Sequence, residues 1–224
     1  MEREKKMRWN YILFDLDGTL LDTSAGIQKS VEHTLHELSL PKLSPEHIRT
    51  FVGPPINRSL QGTFHLTDEQ TQVATNLFRT LYKDKYLFEA TPYPGVYELL
   101  KKLREAGCQL GVATYKRDDY AHQLLDYFNL TALFDQVQGC DAESKWSKAD
   151  IIQQVLERMG CTDKAQAVLV GDTVHDYTGA KQCGIHFAAV GYGFGFTPAE
   201  RESLPEVQVY CEDAQQLWDY LKGD

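Results

Sequence analysis

The sequence predicts an α/β fold: a parallel sheet core with helices on both faces, and an inserted α-helical subdomain near the start of the chain. Three observations predict it. Short, continuously apolar runs recur along the chain, helical patterns alternate with them, and residues 23–91 contain no such run.

The first run, Tyr11-Ile12-Leu13-Phe14, ends at Asp15. Continuous apolarity over so few residues suits a strand buried on both faces, as in a parallel sheet. Residues 110–113, 168–170 and 187–190 repeat the pattern, and 134–137 do so more weakly. The helical patterns lie between these runs. Pro94-Gly95 opens one that carries Val96, Leu99, Leu100 and Leu103 and closes at Gly107, placements that suit a helix start and stop. A second covers 119–128. A third, over 148–159, sets Ile151, Ile152, Val155 and Leu156 on one face and ends at Gly160. Strands alternating with helices imply right-handed crossovers and therefore parallel strands.

The insertion reads as helices throughout. One runs through Ile27, Val31, Leu35 and Leu38, one follows Ser44-Pro45, one follows Pro54-Pro55, and a longer one covers 68–88. A block of this size is too long for a loop. The chain is therefore divided into a core, 1–22 with 92–224, and a helical subdomain, 23–91.

Composition narrows the function. The chain has 224 residues and a formal charge of −9, with no dense basic run; the N-terminal cluster Glu2-Arg3-Glu4-Lys5-Lys6 is mixed in sign. Nucleic acid is not expected as a partner, because backbone phosphates call for clustered cations. A small phosphate ligand is still admitted. No apolar segment approaches a membrane span, and no apolar stretch follows the N-terminal charges as in a signal peptide. Five cysteines without a C-x-x-C pair suit a reducing, cytoplasmic compartment.

Ligands of open α/β sheets bind at the carboxyl ends of the strands. There the sequence places Asp15, Asp17, Gly18 and Thr19 after the first run, Thr114, Tyr115 and Lys116 after the second, and Gly171, Asp172 and Asp176 after 168–170. Each alone has a bland reading: an aspartate after a strand is often a turn or capping residue. Together they gather carboxylates at one edge with few cations, which costs energy unless a cation offsets them. Oxygen-only ligands favour a hard ion such as Mg²⁺.

Phe14-Asp15-Leu16-Asp17-Gly18-Thr19-Leu20-Leu21-Asp22-Thr23 resembles the first motif of the haloacid dehalogenase superfamily, D-x-D-G-T-L-x-D. Thr114 matches its second motif, Lys148 in Ser147-Lys148-Ala149-Asp150 its third, and Gly171-Asp172-Thr173-Val174-His175-Asp176 its fourth, G-D-x-x-x-D. The resemblance runs in order along nearly the whole chain and implies a Rossmann-like core with the insertion as a cap. Gly53-Pro54-Pro55 and Pro92-Tyr93-Pro94-Gly95-Val96 place the resemblance in the phosphoglycolate phosphatase and bacterial 5′-nucleotidase branch.

The resemblance implies a Mg²⁺-dependent phosphatase. Asp15 would be the nucleophile and Asp17 the general acid–base. Thr114 and Lys148 would bind phosphate. Mg²⁺ would be held by Asp15, the Asp17 carbonyl and Asp172, while Asp176 would steady a metal-bound water or Lys148. The substrate would be a small phosphorylated metabolite such as phosphoglycolate, or alternatively a nucleoside monophosphate, and the protein a monomer or homodimer. A phosphomutase like β-phosphoglucomutase is a further alternative. A dehalogenase would lack the acid at Asp17, a phosphonatase would call for a cap lysine in a suitable context, and an inactive module would be expected to have lost a motif residue. Further expectations concern the surroundings. Gly53 would present the cap to the cleft, Arg58 would meet a second anionic group, and Tyr115, where relatives often have a small residue, would narrow the pocket or stack on substrate. Lys116 and Arg117 would form a solvated helix start, and Tyr192-Gly193-Phe194-Gly195-Phe196 a flexible loop beside the site.

Overall fold

A computed structural model describes residues 7–143, 145–196, 198–204, 206–207 and 209–223; the N-terminal charge cluster lies outside them. Six strands form one parallel sheet: β1 (Tyr11–Phe14), β4 (Gln109–Arg117), β5 (Gln136–Cys140), β6 (Ala167–Gly171), β7 (His186–Val190) and β8 (Tyr210–Cys211), in the order β5-β4-β1-β6-β7-β8. The short strands β2 (Leu21–Asp22) and β3 (Thr91–Pro92) pair antiparallel, Leu21 with Pro92 and Asp22 with Thr91.

The strand runs are apolar throughout because successive side chains enter two different cores. Ile12 and Phe14 of β1 join a cluster with Leu110, Val112, Val168 and Val170 on one face, where α5 (Val96–Glu105), α6 (Asp118–Tyr127) and α10 (Ala214–Lys222) pack. Leu13, Ala113 and Leu169 join Ile151, Ile152, Val155 and Ala180 on the other, beneath α7 (Lys148–Arg158) and α8 (Val174–Cys183). The six-residue helix α9 (Pro198–Ser203) lies between β7 and β8.

Between β2 and β3 the described elements are helical: α1 (Ser24–Glu37), α2 (Pro45–Arg49), α3 (Ile56–Phe64) and α4 (Asp68–Leu81). The long helix expected over 68–88 ends at Leu81 and widens into a π-helical turn, Tyr82–Tyr86. Its start is set by a capping box, Thr67 with Gln70.

Two expectations are corrected. The strand expected at 134–137 lies at Gln136–Cys140; Phe134 is an apolar plug 6.2 Å from the Phe14 ring, and the strand was obscured by its buried Gln138 and by Gly139. Lys116 does not start a helix but lies in the nine-residue strand β4, whose last residue, Arg117, is also the one that caps α6. All five cysteines are free thiols. Among the described residues no helix is long and apolar enough to cross a membrane.

Candidate active site

The carboxyl ends of β1, β4 and β6 meet the face that the inserted helices cover, and there lies every buried charged residue among those described: Asp15, Asp17, Lys116, Lys148, Asp172 and Asp176. Four carboxylates against two ammonium groups leave a deficit of two positive charges.

Lys148 opens α7, whose start is capped by Ser147 and Asp150. Its Nζ lies 2.6 Å from Asp15 Oδ1 and 2.6 Å from Asp176 Oδ1. Burial alone would lower the Lys148 pKa, but Asp15 and Asp176 outweigh it and hold the ammonium charged. Asp176 also accepts the Thr173 hydroxyl and amide, at 2.6 and 3.0 Å, in the box that starts α8. Its contact with Lys148 bears on one of the two roles expected for it. Lys145 is exposed and pairs with Glu143.

The second cation is Lys116, whose Nζ lies 3.1 Å from Asp17 Oδ2 and donates to the Tyr82 hydroxyl at 2.9 Å. Burial would lower its pKa as well, and Asp17 with Tyr82 more than offsets this. The expectation of a solvated Lys116 is thus overturned: it is buried, with a carboxylate partner on the core and a phenol from the inserted helices. Period-2 alternation along the strand, which sets 114 and 116 on one face, was the available signal. The other Asp17 oxygen accepts the Thr23 hydroxyl at 2.6 Å.

Asp172, at the end of β6, is held by backbone. Its Oδ2 accepts the amides of Phe194 at 2.8 Å and Gly195 at 3.3 Å, and its Oδ1 accepts the Thr19 hydroxyl at 3.3 Å. The segment 192–196 is therefore bound to the site rather than flexible beside it; Tyr192 also donates its hydroxyl to the Thr19 carbonyl at 3.0 Å. Gly18, at φ +81°, is required here, since a Cβ would stand 2.2 Å from Asp172 Oδ2.

Carboxylate oxygens of Asp15, Asp172 and Asp176 lie within 4.8 Å of one another. Burial pushes the Asp15 carboxyl up to about 7; Lys148 pulls it back, while Asp176 and Asp17 add to the rise. Burial, then Asp176 and Asp15, raise Asp172 well above the usual range. Oxygen-only donors, crowded and short of two positive charges, suit a hard divalent cation.

The remaining expected residues are placed as follows. Thr114 is buried, and its hydroxyl oxygen accepts the Lys116 amide at 3.2 Å. Tyr115 and Gly53 line a cavity together with Asp17, Lys116, Phe51, Phe78, Tyr82 and Tyr120. Gly53 has φ +101°. Arg58 is exposed on α3 and does not line that cavity.

The sequence profile of the haloacid dehalogenase-like hydrolases matches residues 12–190. A 5′-nucleotidase of Pseudomonas aeruginosa is 30% identical over 222 residues, covering 99% of both chains. A phosphoglycolate phosphatase of Aquifex aeolicus is 31% identical over 185 residues, 82% of this chain and 85% of its own. A crystal structure described as a predicted phosphatase from Clostridium acetobutylicum superposes with a TM-score of 0.86 at 32% identity, covering 95% of this chain and 97% of the other.

Proposed function

This chain belongs to the haloacid dehalogenase-like hydrolase family and is one of its phosphatases, and on that premise we propose that it hydrolyses a small phosphate monoester through a phosphoryl group carried on Asp15, with Mg²⁺ bound beside it. The observation that supports this best is the buried Lys148 ammonium, 2.6 Å from both Asp15 and Asp176, whose carboxylates cluster with that of Asp172.

Phosphoryl transfer asks mainly for positioning and charge neutralisation. A carboxylate oxygen of Asp15 attacks phosphorus and the bond to the leaving oxygen breaks; Asp17 supplies the proton that oxygen needs. In the second step Asp17 takes a proton from water, whose oxygen attacks phosphorus and frees Asp15. Lys148 keeps Asp15 oriented and, with the Thr114 hydroxyl, binds phosphate oxygens. Asp15 and Asp172, with the Asp17 carbonyl, would hold Mg²⁺. When bound, the ion supplies the two missing positive charges and neutralises charge on the phosphoryl oxygens. Lys116 keeps Asp17 in place through its ion pair.

For the substrate, the inserted helices lie over the strand ends and favour a small ester, phosphoglycolate-like in size, over a polymer. A nucleoside monophosphate is the second reading, supported by the aromatic side chains Phe51, Phe78, Tyr82 and Tyr120 in the cavity lining. A panel of phosphate monoesters assayed with Mg²⁺, with released phosphate as the readout, tests both. Turnover of small acidic esters above nucleotides is expected; the absence of turnover for any monoester would overturn the phosphatase mechanism.

A further inference from the structure

We propose that Tyr115 is a positioning residue for Lys148, the tether that sets this lysine against Asp15. Its kinetic consequence rests on the proposed phosphatase reaction; the tether itself does not.

Lys148 bridges two carboxylates from the end of a long side chain, so the placement of its backbone decides where the ammonium falls. The described residues that lead into α7, 141–143 and 145–147, have no regular structure. They are folded onto the Asp141 carboxylate, which accepts the amides of Lys145 and Trp146 at 2.9 and 2.8 Å. The preceding strand therefore does not dictate where α7 begins.

The first amides of a helix have no partner within it. The capping box serves those of Ser147 and Asp150. The Lys148 amide is instead donated to the Tyr115 hydroxyl at 2.9 Å, from a residue 33 positions earlier in the chain. Tyr115 directly follows Thr114, so this one bond ties the strand end that carries the phosphate-binding hydroxyl to the helix that carries the phosphate-binding ammonium.

The ring continues the contact. Lys148 Nζ lies 5.7 Å from its centroid. Gly179 of α8 is packed so closely against the same side chain that a Cβ there would stand 2.7 Å from Lys148 Cγ. The lysine side chain thus has both Tyr115 and Gly179 as neighbours. The Tyr115 ring also meets His175 edge-on, with centroids 5.9 Å apart, at the start of the helix that carries Asp176. One side chain therefore touches the elements that present Thr114, Lys148 and Asp176.

Tyr115→Phe keeps the ring and removes only the acceptor. Amide exchange followed by NMR on the whole protein should show the Lys148 amide exchanging about fivefold faster, the scale of one lost hydrogen bond, with the amides of Ile152 and Val155 unchanged. In steady-state assays kcat should fall about tenfold, KM should stay within twofold, and Tm should move by no more than about 2 °C, because misplacing a charge by a fraction of an ångström costs rate before it costs folding. Inhibition by vanadate should weaken by the same factor as kcat, and inhibition by inorganic phosphate should not. An unchanged Lys148 amide, a kcat within twofold of wild type, or kcat, KM and Tm all deteriorating together would each overturn the proposal. A wild-type protein inactive on every monoester would instead sink the phosphatase reading, and the exchange measurement would still decide the tether.

Discussion

Lys116 Nζ lies 3.1 Å from Asp17 Oδ2 with both side chains buried, and it is a phenol from the inserted helices, Tyr82, that completes the lysine's contacts. Truncating one partner of a buried ion pair leaves the other charge unpaired, at a cost of about 3–5 kcal/mol. Lys116→Met should therefore lower both Tm and kcat, and Tyr82→Phe should lower them less. A Lys116→Met protein with wild-type Tm and kcat would show that this pair carries neither stability nor catalysis.

Asp15→Asn should abolish turnover while leaving a folded protein, since it removes the attacking oxygen's charge. Beryllium fluoride should label Asp15 in the wild type. Asp17→Asn should slow the reaction by about 10²–10⁴-fold, the usual scale of a lost general acid–base. Steady-state rates and mass spectrometry of the trapped adduct check both, and wild-type turnover in Asp15→Asn would rule out the covalent route.

Metal removal has a pH signature. Burial raises the Asp15 carboxyl from its ordinary value near 3.8 to about 7, so the fold binds this proton more tightly than the unfolded chain does. Its contribution to the metal-free fold is complete below 3.8 and is lost as the pH rises through about 7. A divalent cation competes with that proton and gains most where the proton has gone. The Tm difference between Mg²⁺-saturated and chelator-treated protein should widen from pH 5 to pH 8, and turnover should vanish in excess chelator. A Tm difference independent of pH would argue against an ion at Asp15.

The helices of 23–91 should move as a unit on the paired segments Leu21–Asp22 and Thr91–Pro92. Hydrogen exchange with and without a trapped beryllium fluoride adduct should differ at the contacts this block makes with the core, among them Lys116 with Tyr82 and the Tyr120 hydroxyl with the Arg79 carbonyl. Identical exchange in the two states would count against a mobile cap.

Arg58 offers a substrate test. It is exposed and stands outside the cavity lining, so Arg58→Ala should leave kcat/KM for phosphoglycolate within twofold of wild type. A tenfold loss confined to acidic esters would show that closure brings Arg58 to the substrate. Nucleoside monophosphates favoured tenfold over phosphoglycolate would establish the nucleotidase reading.

What the sequence determined by itself is local in origin. Three of the four apolar runs end in chemistry-bearing residues, and a buried parallel strand needs no partner to be legible, because both of its faces are apolar. Helices from 68 and 148 were legible from their pattern, and the capping boxes at 67, 147 and 173 that set helix starts are equally local, with bonds that span three positions. The D-x-D-G-T and G-D-x-x-x-D runs identified Asp15, Asp17 and Asp172 before any geometry was known. The tertiary structure alone decided how the other buried charges are satisfied. Lys116 reads as solvated until Tyr82, 34 positions away, and Asp17 enclose it. The segment 192–196 reads as loose until its amides meet Asp172. Tyr115 reads as a bulky departure until its hydroxyl reaches the Lys148 amide. A buried charge or amide is satisfied by whichever group the fold brings within about 3 Å, and that proximity is a property of the packed elements, to which sequence spacing gives no measure.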